Sequence, residues 1–160
     1  MKNHLTPLLA ALLLLCTATH AVDTSPPASP NSGDKLAAAR ELIADKRWPA
    51  AIDELKRVNA TDSADWNNLM GYTHRKAPTP DLAGAERYYD AALRLQPQHR
   101  GALEYSGELF LMLGDLPRAE QRLTALDKAC LLPCTEFSDL KAAVARYKAN
   151  GNRYAPAGRY

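Results

Sequence analysis

Apolar positions recur along this chain in a helical rhythm, three at a time. Ala51, Leu55 and Val58 stand at i, i+4 and i+7, as do Ala85, Tyr89 and Ala92, and again Ala119, Leu123 and Leu126. That spacing puts each trio on one stripe of a helix. The step from Ala51 to Ala85 equals the step from Ala85 to Ala119. A fixed period of this size predicts a repeated pair of helices. Each trio is preceded by a predicted helix with a small residue at its middle: Ala39, Gly71 or Gly107. A large apolar residue follows three positions later at Leu42 and Phe110, and His74 takes that place in the middle unit. The turns between the paired helices are Lys46-Arg47-Trp48, Pro80-Asp81-Leu82 and Gly114-Asp115-Leu116.

Glycine inside a helix costs up to about 1 kcal/mol against alanine. Gly71 and Gly107, with Ala85 and Ala119, therefore predict backbones that approach closely, with the large residues filling the space alongside. Beyond the third unit, Phe137, Leu140, Val144 and Tyr147 fall at i, i+3, i+7 and i+10. They predict a final helix over 135–149, with Asp139, Lys141, Arg146 and Lys148 largely on its other side. One apolar face is what a terminal helix needs to cover the last repeat and meet water with the rest. Cys134 or Thr135 falls near its N-cap, and Glu136 and Asp139 suit the positive end of its dipole.

The pattern resembles the tetratricopeptide repeat, a helix-turn-helix unit with a period of about 34 residues. The unit over 100–133 carries Leu103, Gly107, Phe110, Gly114, Leu116, Ala119, Leu123 and Leu126 at matching places. The unit over 64–99 carries Trp66, Gly71, Leu82, Ala85, Tyr89, Ala92 and Pro97. It departs from the family in its turn at Lys76 to Pro80, about two residues too long, and in His74, where an aromatic is usual. The first unit, 32–63, lacks a closing proline. The resemblance covers about two thirds of the chain. It implies an all-α, right-handed superhelical stack of three repeats with a C-terminal capping helix, filling 34–149.

Residues 1–21 read as a secretory signal: Lys2 supplies the positive start, Leu8 to Leu15 the apolar run, and Thr19-His20-Ala21 the cleavage site. The run is too short to span a bilayer, which takes about 20 residues. Lipid attachment at Cys16 is the second reading, weakened by the bulky Leu15 before it. The chain is therefore expected to be periplasmic or secreted in a Gram-negative-type cell, with no transmembrane segment once processed. Residues 22–33, rich in Ser and Pro, read as a flexible leader, and 150–160 as a flexible tail whose Tyr154 and Tyr160 have the means to dock back onto the stack. Export removes Lys2 from the 20 basic residues and none of the 18 acidic ones, leaving a net charge of +1. A near-neutral chain without a basic stripe does not suit nucleic acid.

Cys130 and Cys134 both survive export. An even pair in an oxidising compartment predicts a disulfide joining the sixth and seventh helices. Two free thiols, a redox-active pair and a metal site are the other readings. The C-x3-C spacing departs from redox motifs, and no second pair completes a metal set. There is no G-x-S-x-G, no H-E-x-x-H and no phosphate loop, so neither an enzyme nor a cofactor is expected.

Binding is the better expectation. In a stack of helix pairs the first helix of each pair lines an inner wall. The register places Arg40, Asn68, Tyr72, Arg75, Glu104, Glu108 and Met112 on that wall. Tyr72 is an interface anchor type, Asn68 hydrogen-bonds both ways, and Arg75 suits a carboxylate. The Lys and Asn clamp with which some family members hold a C-terminal carboxylate is incomplete here. The expected partner is a protein or peptide of a cell-envelope complex, held in this groove or by the projecting 76–80 turn. The runner-up function is a thiol-active accessory protein using Cys130 and Cys134.

Overall fold

Four of the seven helices among the described residues of the computed structural model begin on a side chain that accepts a hydrogen bond from their own first turn. The structure describes residues 34–155. The proposed signal over 1–21, Cys16, the leader over 22–33 and Tyr160 lie outside the described residues. The helices are α1 (Ala37–Ala44), α2 (Trp48–Val58), α3 (Ala64–Lys76), α4 (Leu82–Leu95), α5 (Arg100–Met112), α6 (Leu116–Ala129) and α7 (Thr135–Ala149). No strand occurs among the described residues. Ser63, Asp81, His99 and Asp115 cap α3 to α6, accepting from Trp66, Gly84, Ala102 and Arg118. Pro49 and Pro117 sit in the first turns of α2 and α6, where a missing N–H costs nothing.

Helices pack in chain order. The pairs α1/α2, α3/α4 and α5/α6 form hairpins, and each hairpin touches the next through α2/α3 and α4/α5. Helix α7 lies against both α5 and α6. The apolar core follows the same order in three clusters. Leu36, Ala39, Leu55, Trp66, Leu69 and Met70 join α1 to α3. Ala85, Tyr89, Ala92, Ala102 and Leu109 join α4 to α5. Leu103, Phe110, Leu111, Ala119, Leu126, Leu140, Ala143, Val144 and Tyr147 join α5 to α7. The stripe positions Ala51, Leu55, Ala85, Tyr89, Ala92, Ala119 and Leu126 are fully buried. The indole N–H of Trp66 donates to the Leu55 carbonyl at 2.7 Å and hooks α3 to α2.

The two mid-helix glycines sit under different lids. A Cβ on Gly71 would stand 2.7 Å from the ring of Tyr89 on α4, and one on Gly107 would stand 2.5 Å from Leu140 on α7. The long middle turn is held by His74, whose carbonyl accepts from Asp81 N at 3.1 Å. Its Nδ1 lies 3.4 Å from the Asp81 carboxylate, and its ring lies 5.3 Å from that of Tyr88. Burial lowers the His74 pKa, with Asp81 acting against it. His74 thus keeps the ring contact an aromatic would make and adds a polar tether for the extra residues. Tyr154, expected in a loose tail, instead packs against the α5/α6/α7 cluster.

Candidate functional site

Helices α3, α5 and α7, with Tyr154 beyond α7, enclose a cavity of about 320 Å³. Its lining includes Tyr72, Arg75, Glu104, Glu108 and Asp139, with Tyr105 and Tyr154 between them and Lys76 and Arg146 at the rim. Four of the seven wall residues named from the register therefore meet here. Tyr72, Arg75, Glu104 and Glu108 come together because α3 and α5 present equivalent turns to the same space.

The centre of the arrangement is Arg75, 3% exposed. Its Nη1 lies 2.8 Å from Glu108 Oε2, its Nε donates to the Tyr89 hydroxyl at 3.4 Å, and Met112 Sδ lies 4.0 Å away. The guanidinium carbon is 5.7 Å from the ring centres of both Tyr72 and Tyr105, which are 4.8 Å from each other. Burial works against the Arg75 charge, but Tyr89 and Glu108 more than offset it and keep the group cationic. This corrects the expectation that Arg75 is free to fork onto a partner's carboxylate. Its partner is Glu108, within the chain.

Glu104 is in the opposite situation. It is 8% exposed and no donor of the described residues reaches its carboxyl group. Burial, then Glu108, Asp139 and Glu136, push its pKa up to about 8, and Arg75 only partly opposes them. Burial likewise raises Tyr72, Tyr154 and Tyr105, the last to about 12, so all three stay neutral phenols.

Three wall residues lie outside this cavity. Arg40 pairs with Asp34 at 3.3 Å and Asp65 at 3.6 Å, bracing the start of the domain. Asn68 is buried against Gly101 at the start of α5, with its Oδ1 unpartnered, so it does not face a peptide. Met112 touches Arg75 from behind. Wall residues that the register did not single out are Trp48, Tyr105 and Tyr154. Trp48, Tyr72 and Tyr105 form a row across α2, α3 and α5, with ring centres 6.3 Å and 4.8 Å apart. Tyr105 follows Tyr72 at a single position short of the repeat step, so the period carried a signal for it.

Cys130 and Cys134 are joined by a disulfide between the C-cap of α6 and the N-cap of α7. It closes a loop whose Leu131 and Leu132 are 96% and 80% exposed. No group of three or more metal-ligating side chains occurs among the described residues. None of their helices is long and apolar enough to cross a membrane. Comparison of the chain with known proteins finds no matching family model, no matching curated protein and no matching solved structure.

Proposed function

We propose that this chain is a non-catalytic interaction module, a tetratricopeptide-like right-handed stack that holds a peptide segment or a partner subunit in the cell envelope. The observation that carries the reading is the cavity between α3, α5 and α7, approached along the Trp48, Tyr72 and Tyr105 row. Half-buried aromatic rings offer area at small entropic cost, which suits anchoring a partner. The cavity groups do not form a nucleophile and base pair. Arg75 is locked to Glu108, and the tyrosines are held neutral by burial. The periplasmic or secreted address rests on residues 1–21 alone.

Photo-crosslinkers placed at the exposed rim positions Lys76 and Arg146, and at Gln121 and Lys128 on α6, test this in intact cells. Discrete protein adducts are expected from the rim positions and not from α6. Equal adducts from both faces, or none from the rim, would place the docking surface elsewhere.

A further inference from the structure

Helix α7 ends in a built turn. Gly151 N donates to the Lys148 carbonyl at 3.2 Å, and Asn152 N donates to the Tyr147 carbonyl at 3.0 Å. Gly151 and Asn152 both stand at positive φ, 66° and 58°. Two left-handed residues in succession turn the chain sharply, and glycine and asparagine are the types that accept this at small cost. The Asn150 side chain then donates to the Arg153 carbonyl at 3.1 Å and closes the turn. The turn at Gly114 opens the same way, with Asp115 N on the Phe110 carbonyl, but a helix follows it. The turn after α7 delivers a single ring, Tyr154, to the wall of the cavity between α3, α5 and α7.

That ring is held lightly. It is half-buried and packs onto the α5/α6/α7 cluster from outside. Its hydroxyl makes no hydrogen bond among the described residues. The hydrogen bonds of residues 150–155 among the described residues stay within the turn or on α7. Lifting the ring therefore breaks no hydrogen bond across the cavity. The cavity lining also balances its charges, with Arg75, Lys76 and Arg146 against Glu104, Glu108 and Asp139. Such a lining favours a neutral ring with a polar tip over an ion of either sign.

We infer that Tyr154 is a tethered occupant of the docking groove: it fills the seat that an aromatic side chain of the partner segment takes, and the partner docks by displacing it. The inference rests on the interaction reading above and names both the chemistry of the partner's anchor and what holds the seat in the free chain. A tether of a few residues presents its ring at an effective concentration on the order of millimolar. A lone ring in solution competes poorly against that. A segment that also lies along Trp48, Tyr72 and Tyr105 has the added contact area to win.

The probe is the tail's own sequence, a blocked Asn-Gly-Asn-Arg-Tyr-Ala peptide. It is titrated into the full wild-type chain and into full-length Tyr154→Ala, with the Tyr72 and Tyr105 rings read by NMR. Tyr154→Ala is expected to bind it about tenfold more tightly than wild type, the gain from opening a seat that is filled about nine-tenths of the time. The same peptide with alanine in place of tyrosine is expected to bind neither chain. In wild type, excess peptide is expected to move the Tyr154 ring signals to their values in an unstructured chain. Equal affinity for the two chains, binding of the tyrosine-free peptide, or a bound peptide with Tyr154 unmoved would each overturn the inference. Loss of the cooperative melt in Tyr154→Ala would make the ring part of the core and overturn it as well. Crosslinks from Lys76 are expected to rise in Tyr154→Ala. Rim crosslinks indifferent to Tyr154→Ala would sink the tethered occupant and leave the interaction reading in place. Peptide binding as expected with no rim crosslinks in cells would support the seat and sink the interaction reading.

Discussion

Leu140 of α7 occupies the space that a side chain on Gly107 of α5 would need, its two methyl carbons 2.5 and 2.7 Å from the ideal Cβ position. The terminal helix is docked through this contact. Gly107→Ala gains up to about 1 kcal/mol in helix propensity and loses about 1–3 kcal/mol to overpacking. The net expectation is a lower melting temperature, partly restored by Leu140→Ala in the same chain. Gly71→Ala is expected to cost more. Its neighbour is the ring of Tyr89, which has fewer ways to yield than a leucine and is tied to Arg75. Gly107→Leu is expected to undock α7, read as lost protection of its amides from hydrogen exchange.

Lys46 and Gly114 do the same work with unequal ease. Both end the first helix of a hairpin at positive φ, 57° and 78°. In both, the next residue's N–H reaches back at 2.8 Å, from Arg47 to Leu42 and from Asp115 to Phe110. The left-handed conformation favours glycine, so Lys46→Gly should stabilise by about 0.5–1 kcal/mol, and Gly114→Lys should destabilise by a similar amount. Denaturant midpoints of the two variants should move in opposite directions.

Removing Arg75 is expected to harm the fold before it harms binding. Arg75→Ala would leave Glu108 without its cation and the Tyr89 hydroxyl without its donor, a loss of about 3–5 kcal/mol for a buried pair. The cooperative melt should shift sharply or disappear. Tyr72→Leu with Tyr105→Leu is the better probe of the wall. It should retain a cooperative melt and lose the rim crosslinks.

Glu104 makes stability fall with rising pH. Its pKa rises from 4.5 to about 8 in the folded chain. Between those values the folded chain keeps a proton that the unfolded chain has released. The contribution is therefore greatest below pH 4.5 and is lost as pH climbs through 8. Melting curves from pH 5 to pH 9 should show wild type losing ground relative to Glu104→Gln, with the gap widening up to pH 8 and levelling above it. Parallel curves would show that Glu104 is ionised in the fold at neutral pH.

After reduction the two cysteines should differ. Cys134 caps the positive end of α7, and Cys130 caps the negative end of α6. A helix N-terminus favours the thiolate and a C-terminus opposes it. Iodoacetamide at neutral pH should label Cys134 first, as read by mass spectrometry of the peptides. The closed loop is short, so reduction should lower stability by about 2 kcal/mol in the loop-entropy picture.

Local spacing alone made the helices legible. Burial of Ala51, Leu55, Tyr89 and Leu126 follows from apolar periodicity, because a stripe that recurs once per helical turn has to find cover. The small residues at Gly71 and Gly107 signalled close contact for the same reason. The identity of the covering group was hidden, since nothing near Gly107 in the chain points to Leu140, a whole hairpin further on. The site divides along that line. Register brought Tyr72, Arg75, Glu104 and Glu108 to one wall, and whether each faces outward was decided by packing across α3, α5 and α7. That packing turned Arg75 inward onto Glu108, took Asn68 under α5, and left Glu104 without a donor among the described residues. Helical periodicity is a property of neighbouring residues, whereas burial of a charge depends on which distant side chains close over it.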